Sequence, residues 1–454
     1  MNNYSVYLNQ LKKALSELDS WRESFGEEQE NRYPEIPDNL ISEFTERLKG
    51  NYPFHHPRYA GQMLKPPHPV AWLAYTLAMT INPNNHALDG GPPTSEMEKE
   101  VTASLAGMVG YGSDFLGHLT SGGTIANLEA LYIAREIHPG KAVASSANAH
   151  YTHSRVCRIL GIEHITVPVD ENGIPDHTFI QKNSDKIGTL VITPGTTGLG
   201  IVEPVHSLAD LAISEGIRIH LDAAYGGFFK LLQGSGLIED EAWKRFSEAD
   251  SVVIDPHKHG LQPYGCGSVL FKDPAVGKYY KHDSPYTYFT SDDLHLGEIS
   301  LECSRAGASA AALWATLQLL PLKQDSGLGE ILKSCRRAAM FFYNRIEKGS
   351  SFTNFHKPDL DIVAYFPEPV KKSTSSISEM SRKIFQYGMN QEEIGFYLSL
   401  YKVPADTFLR KFPGYKKDSD EVTILRSVFM KPEHESFVPL LIDLLEEAAG
   451  VVSS

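Results

Sequence analysis

From about residue 95 to about residue 320 the chain alternates short β-branched runs with stretches of helical composition. The runs are KAVASS, HITVPV, GTLVIT, IRIHLD, SVVIDP and GSVLF, and SLADLAISEG, between GTLVIT and IRIHLD, is typical of the intervals. Strands separated by helical crossovers predict an α/β layer built on a mostly parallel sheet. In open sheets of that kind, ligands sit at the carboxyl ends of the strands.

The flanks read differently. Residues 1–50 are helical and amphipathic, with Tyr7, Leu8, Leu11, Leu15 and Leu18 spaced by three and four. They make either an ordinary first helix or an arm that packs on a partner subunit. NYPFHHPRYAGQMLKPPHP, 51–69, holds six prolines and glycines and reads as a loop rich in aromatics and histidines. ILKSCRRAAMFFYNRIEK predicts a helix leading into a second domain, where LDIVAYF and VTILRSVFM are strand-like and FVPLLIDLLEEAAG is a closing helix. The polar stretch KKSTSSISE, 371–379, reads as a loop, and no internal repeat is present.

Composition narrows the function classes. A chain of 454 residues, 42% hydrophobic, has enough apolar side chains for two or three domains. A net charge of −14 argues against bulk nucleic-acid binding. Cys157, Cys266, Cys303 and Cys335 form no CxxC pair, which argues against a zinc cluster or redox dithiol, so no metal site is expected. Scattered cysteines fit a reducing compartment. The start MNNYSVYLNQ has no apolar signal core, and no apolar run approaches the ~18 residues of a membrane span. The expectation is a soluble, cytoplasmic protein without nucleic-acid or membrane partners.

Three segments carry chemistry. In HLTSGGTIANLEALYIAREI a Gly pair precedes a helical run. Backbone amides at a helix start bind phosphate, Gly122 and Gly123 permit close approach, and Ser121 and Thr124 add hydroxyls. Such a turn also simply caps helices. IRIHLDAAYGG ends a strand on Asp222, which suits a cap, a metal ligand or a cofactor partner. SVVIDPHKHG ends another strand on Asp255, Pro256, His257 and Lys258. A lysine beside two histidines can have its pKa lowered by positive charge and desolvation, or it can be a surface lysine in a turn. Together, a phosphate turn, a strand-end acid and then a strand-end lysine follow the chain order of enzymes that use pyridoxal 5'-phosphate (PLP). That cofactor needs a lysine to carry it as a Schiff base and an acid to keep its pyridine nitrogen protonated.

SGGTIANLEAL, ANAHYTHSRV, TPGTTGLG, HLDAAYGG and DPHKHG resemble the group II pyridoxal-dependent amino-acid decarboxylases, over about residues 54–445. That family includes glutamate, aromatic amino acid, tyrosine, histidine and aspartate enzymes. The resemblance implies fold type I, the PLP-dependent transferase-like fold. Its large domain has a mostly parallel seven-stranded sheet, joined to a smaller C-terminal α+β domain. We place the boundaries at 1–55 for a helical arm, 56–325 for the PLP domain and 326–454 for the small domain. The implied activity is decarboxylation of an L-amino acid to its amine and carbon dioxide, by a homodimer with shared active sites. By motif, Lys258 carries the cofactor, Asp222 pairs with the pyridine nitrogen, and Ala224 packs on one ring face. His150 stacks on the other face and assists proton transfer. Ser121, Gly122, Gly123 and Thr124 form the phosphate turn, Thr197 lies near ring and substrate, and His257 flanks the lysine. Gln62 and Arg426 fall in segments near the substrate.

Asp255 departs from the pattern, standing where many members have an asparagine that touches phosphate. A carboxylate there repels phosphate unless it turns away or is bridged. KHDSPYTYFTSDDLHLGE, 281–298, resembles the family's catalytic loop, with Tyr286 and Tyr288 both placed as proton donors and Tyr288 favoured. Arg305, in the CSR segment, is expected to be structural. The substrate side chain stays open, with DPHKHGLQPYGCG leaning towards the tyrosine and aspartate branches. Another PLP reaction on the same fold (carbon–carbon lyase, aldehyde synthase or aminotransferase) remains the alternative.

Overall fold

The computed structural model describes residues 4–26, 34–280, 299–390 and 395–453. Its central sheet has seven strands: β1 (Leu116–Thr120), β2 (Ala142–Ser146), β3 (His164–Val167), β4 (Ile187–Ile192), β5 (Arg218–Asp222), β6 (Ser251–Ile254) and β7 (Gly267–Phe271). Their order is β1-β7-β6-β5-β4-β2-β3. From β3 to β6 every pairing is parallel, whereas β7 runs antiparallel to both β6 and β1. The apolar runs of the sequence become β2 to β7. β1 is the strand those runs did not contain, because Gly117 and His118 interrupt LGHLT.

Every residue of β4, β5 and β6 is buried. Helices cover both faces of such a sheet, so IGTLVI and SVVI read as near-continuous apolar runs, whereas RIHLD alternates and buries Arg218, His220 and Asp222 on one side. Leu105, Leu190, Leu221, Phe228, Val252 and Leu270 meet in the main core. Each fully buried side chain of this size contributes roughly 1.5–3 kcal/mol against exposure.

After the helix Leu328–Glu347 comes a smaller layer. Its antiparallel sheet has the order Phe352–Asn354, Ile362–Pro367, Glu421–Val428, Ser399–Pro404. Phe342, Tyr365, Leu425, Phe429 and Leu441 form its core, and Ala60 joins them from the opening loop. The architecture is thus α/β with a smaller C-terminal layer.

One sequence expectation is overturned here. The stretch 371–379 is not all loop, because a helix begins at Thr374 and runs to Asn390. Its serine-rich first turn has poor helix propensity, and the compensation comes from far along the chain. Asp418 Oδ1 accepts from the Ser375 backbone N–H at 2.8 Å and the Thr374 hydroxyl at 3.0 Å, and Oδ2 from the Ser375 hydroxyl at 2.9 Å. A carboxylate on the first-turn donors is a cap supplied in trans.

At the N-terminus, α1 (Leu8–Glu23) and α2 (Asp38–Leu48) contain no buried residue. In α2, Leu40, Ile41, Phe44 and Leu48 all lie exposed. All four cysteines are unpaired, and no helix among the described residues is long and apolar enough to cross a membrane.

Candidate active site

The carboxyl ends of β1, β2, β4, β5 and β6 open on one cavity of ≈ 340 Å³. β1 leads into Ser121–Gly122 and the helix Gly123–Ile137. Gly122 has φ +150°, a conformation L side chains rarely adopt, and a Cβ on Gly123 would stand 2.7 Å from Asp255 Oδ2. A helix start leaves its first amides without intrahelical partners, which is what a phosphate needs. The turn is held from behind. Asn127 Nδ2 donates to the Gly123 carbonyl at 2.8 Å, and Asn127 Oδ1 lies 2.8 Å from His220 Nε2, inside β5. Complete burial pushes His220 down to about 3, so it serves as a neutral link. The Ser121 amide donates to Glu302 Oε2 at 2.8 Å.

Asp222 ends β5, and its Oδ2 lies 2.8 Å from His153 Nε2, both side chains being buried. Burial alone would raise the Asp222 carboxyl. The His153 hydrogen bond and charge, with the charge of Lys258, nonetheless hold it well below the usual carboxylate range. Asp222 is therefore an ionised acid facing the cavity. The sequence reading missed His153, although it stands three residues after His150 in NAHYTHS. A histidine there gains meaning only when the helix Thr152–Leu160 carries it over the end of β5.

Lys258 follows β6 in a tight turn, its backbone N–H donating to the Asp255 carbonyl at 2.9 Å. Lys258 Nζ lies 3.1 Å from Asp255 Oδ2, and His257 Nε2 lies 3.5 Å from the same oxygen. The Asp255 carboxylate is thus bridged by Lys258 and by His257, whose ring burial keeps neutral by lowering its pKa. The nearest charge to the Lys258 ammonium is negative, not the positive neighbourhood expected from the histidines.

Ser121, Gly122, Gly123, Thr124, His150, Thr197, Asp222, Ala224, Asp255, His257 and Lys258 all line this cavity, with Asn127, Thr193, Gly195 and Tyr225 as further wall residues. His150 Nδ1 accepts from the Thr152 N–H at 3.3 Å, which leaves the proton of the neutral ring on Nε2, and burial keeps the ring neutral by lowering its pKa. Arg426 and Gln62 are not brought to the cavity wall. The Arg426 guanidinium donates to the Thr197 carbonyl at 2.8 Å, Gly198 at 2.7 Å, Gly61 at 3.3 Å and the Ser399 hydroxyl at 3.0 Å, so it fixes the Thr197 turn from behind. Gln62 is exposed, and its backbone N–H donates to the Tyr59 hydroxyl at 3.2 Å. Arg305 is buried against Glu98 and donates to the Leu119 and Asn85 carbonyls at 2.8 and 2.9 Å. Tyr286 and Tyr288 lie outside the described residues.

The walls fit a phosphorylated pyridine aldehyde: a helix-start turn, an ionised acid opposite and a primary amine between. Asp255 Oδ1 and Thr193 Oγ1 are buried without a hydrogen-bond partner among the described residues, as in a site whose polar shell a ligand completes. A family model described as the pyridoxal-dependent decarboxylase conserved domain matches residues 24–366. The chain belongs to this family. Its relatives include the L-tyrosine decarboxylase of Enterococcus faecium, 29% identical over 84% of this chain and 83% of that protein. Another is the L-aspartate decarboxylase of Thermococcus kodakarensis, 26% identical over 74% of this chain and 86% of the relative. Among solved structures, Oryza sativa TDC with PLP and tryptamine superposes with a TM-score of 0.81 at 15% identity, covering 100% of both chains. Mouse CSAD superposes at 0.79 and 20% identity, covering 97% of this chain and 91% of that one. The fold is that of these solved structures. This pyridoxal-dependent decarboxylase removes the carboxylate of an amino acid, with PLP as its cofactor.

Proposed function

We propose that Lys258, Asp222 and His150 carry the decarboxylation, and that the substrate is an aromatic L-amino acid, tyrosine first. When bound, PLP supplies the electron sink for the pair left behind as the carboxylate departs. The residues that would hold it are Lys258 through its amine, Asp222 at the ring nitrogen, the turn 121–124 at the phosphate, and Ala224 and His150 on the two ring faces. Asp222, kept ionised by His153, holds the proton on that nitrogen. His150, neutral with Nε2–H towards the cavity, orients the substrate carboxylate and shields it from water. In this proposal the proton delivered to Cα comes from Tyr288 or Tyr286, so Tyr288→Phe should lower amine yield and raise aldehyde, with dissolved dioxygen as the oxidant or with the amino group left on the cofactor. Full amine yield from the double phenylalanine variant would leave His150 as the donor.

The observation that carries the mechanism is the buried Asp222–His153 pair facing the same cavity as Lys258. For the substrate, an aromatic ring packed on the cavity-wall residue His257 is what favours tyrosine. Tyr264 packs against His257 with ring centroids 4.9 Å apart, and its hydroxyl reaches the Met63 carbonyl at 3.1 Å. Arg426, placed near the substrate by resemblance, gives its donors to carbonyls and the Ser399 hydroxyl rather than to an acidic side chain. Two of the relatives named above act on tyrosine and on aspartate. Tyramine and β-alanine formation from the two amino acids separates these readings, with kcat/KM for tyrosine expected to lead by about 100-fold. Faster β-alanine production would refute the aromatic assignment.

The proposal includes a homodimer with shared active sites and a cytoplasmic location. A second copy covering the apolar face of α2 accounts for four large side chains left in water. Unpaired thiols agree with a reducing compartment. We also divide the chain at residues 55 and 325.

A further inference from the structure

A second cavity, of ≈ 440 Å³, lies where the central layer meets the C-terminal one. Its floor is apolar, formed by Ile174, Ile238, Trp243 and Phe355. Its rim carries polar groups that the fold does not satisfy. Asn354 is 8% exposed, and its Nδ2 donates to the Tyr343 carbonyl at 3.0 Å and Glu347 Oε1 at 2.8 Å. Its Oδ1 has no hydrogen-bond partner among the described residues. The same holds for His206 Nδ1 and for His356 Nε2, which stands 3.8 Å from Asp359 Oδ2, beyond hydrogen-bonding distance. Lys411 Nζ reaches only the Phe355 carbonyl, at 3.5 Å, and the face of the Phe355 ring, with no carboxylate within 4.0 Å among the described residues. An unsatisfied buried polar group costs about 1–3 kcal/mol, so several on one wall call for a polar occupant.

The two cavities share one piece of backbone. Pro194 and Val202 form an antiparallel bridge, and the Gly195 and Thr196 amides donate to the Ile201 carbonyl at 3.0 and 2.9 Å. Thr193, Gly195 and Thr197 on one arm line the catalytic cavity. Ile201, Val202 and His206, on and beyond the other arm, line the second. Asp359 Oδ2 accepts from the Val202 N–H at 2.9 Å, which ties this hairpin to the C-terminal layer.

We propose that the second cavity is an effector site for a free amino acid with an apolar or aromatic side chain. The side chain lies on Trp243 and Phe355. The α-ammonium meets Asn354 Oδ1 and the Glu347 carboxylate, and the α-carboxylate meets Lys411 and His356. Occupancy then acts on the Thr197 turn through the hairpin 193–202.

Equilibrium dialysis of labelled L-phenylalanine tests the site on holoenzyme whose cofactor has been fixed to Lys258 by borohydride, without any need for turnover. Saturable binding is expected, weakened about tenfold or more by Ile238→Trp, which fills the floor, and by Asn354→Leu, which removes the acceptor. 2-Phenylethylamine and 3-phenylpropionate, each lacking one charged group, should bind about tenfold more weakly than the amino acid. No saturable binding, as for a cavity that holds water only, would overturn the proposal. So would binding unchanged in both variants, or equal binding of all three probes. The effector role is read separately, as a change in KM on adding L-phenylalanine that is larger in wild type than in Asn354→Leu. An identical response in the two proteins would remove that role.

Discussion

At the scale of single residues, the proposed chemistry depends on keeping a buried carboxylate ionised. Burial and the His153 contact pull Asp222 in opposite directions, and the contact wins. A depressed carboxyl contributes its stabilisation in full above the unfolded value of ~3.9, and loses it only as pH falls through the lower folded value. Replacing His153 by leucine leaves burial to act with less opposition and raises the Asp222 carboxyl. The acid limbs of turnover and of cofactor retention should then both move to higher pH. At neutral pH turnover should fall by about 10- to 100-fold, the equivalent of one buried partner lost. A pH–rate profile superimposable on that of wild type would show that His153 merely packs. Lys258, Asp222 and the glycine turn were legible in the sequence because each ends a strand or starts a helix in a recognisable order. His153 and Asn127 were not, because each acts on a neighbour brought close only by the fold. The loss of Gln62 and Arg426 from the cavity wall has the same origin. A motif position says which loop a side chain is on, but not which carbonyls compete for it.

Among elements, the Thr197 turn is the piece held least by its own sequence. It follows β4, yet its carbonyls at Thr197 and Gly198 are fixed by Arg426 from the strand Glu421–Val428 of the other layer. Lysine cannot reproduce a planar fork with several donors. Arg426→Lys should therefore raise KM by about tenfold and speed cofactor release, while the far-ultraviolet circular dichroism stays that of wild type. Unchanged KM and retention would mean the turn needs no such support. The same distance problem explains why the helix Thr374–Asn390 was hidden. Its cap, Asp418, lies beyond two other elements, so a window centred on KKSTSSISE contains the weak propensity and not its compensation. β4, β6 and β7 were legible because both faces of their sheet are covered, which leaves a nearly unbroken apolar run.

For the whole molecule, the two layers are joined beside the active site. Asp361 Oδ2 lies 2.8 Å from His259 Nε2, and the Tyr225 hydroxyl donates to Asp361 Oδ1 at 2.5 Å, so the residue after Lys258 and a cavity wall are both anchored in the C-terminal layer. In the proposed dimer a second copy covers the exposed face of α2. Sedimentation should give a dimer for wild type, and Leu40→Glu with Phe44→Glu should shift it to monomer with loss of turnover. An active wild-type monomer would sink the shared-site account. In the proposed reaction, Asp222, held as a carboxylate opposite Lys258, makes the cavity a decarboxylation site. The most direct test of that role is carbon dioxide and amine release by Asp222→Asn, measured at full cofactor occupancy. An amide cannot hold the ring nitrogen protonated, so both products should fall together by about 100-fold or more while the cofactor stays bound. Product release at the wild-type rate from the fully loaded variant would contradict it.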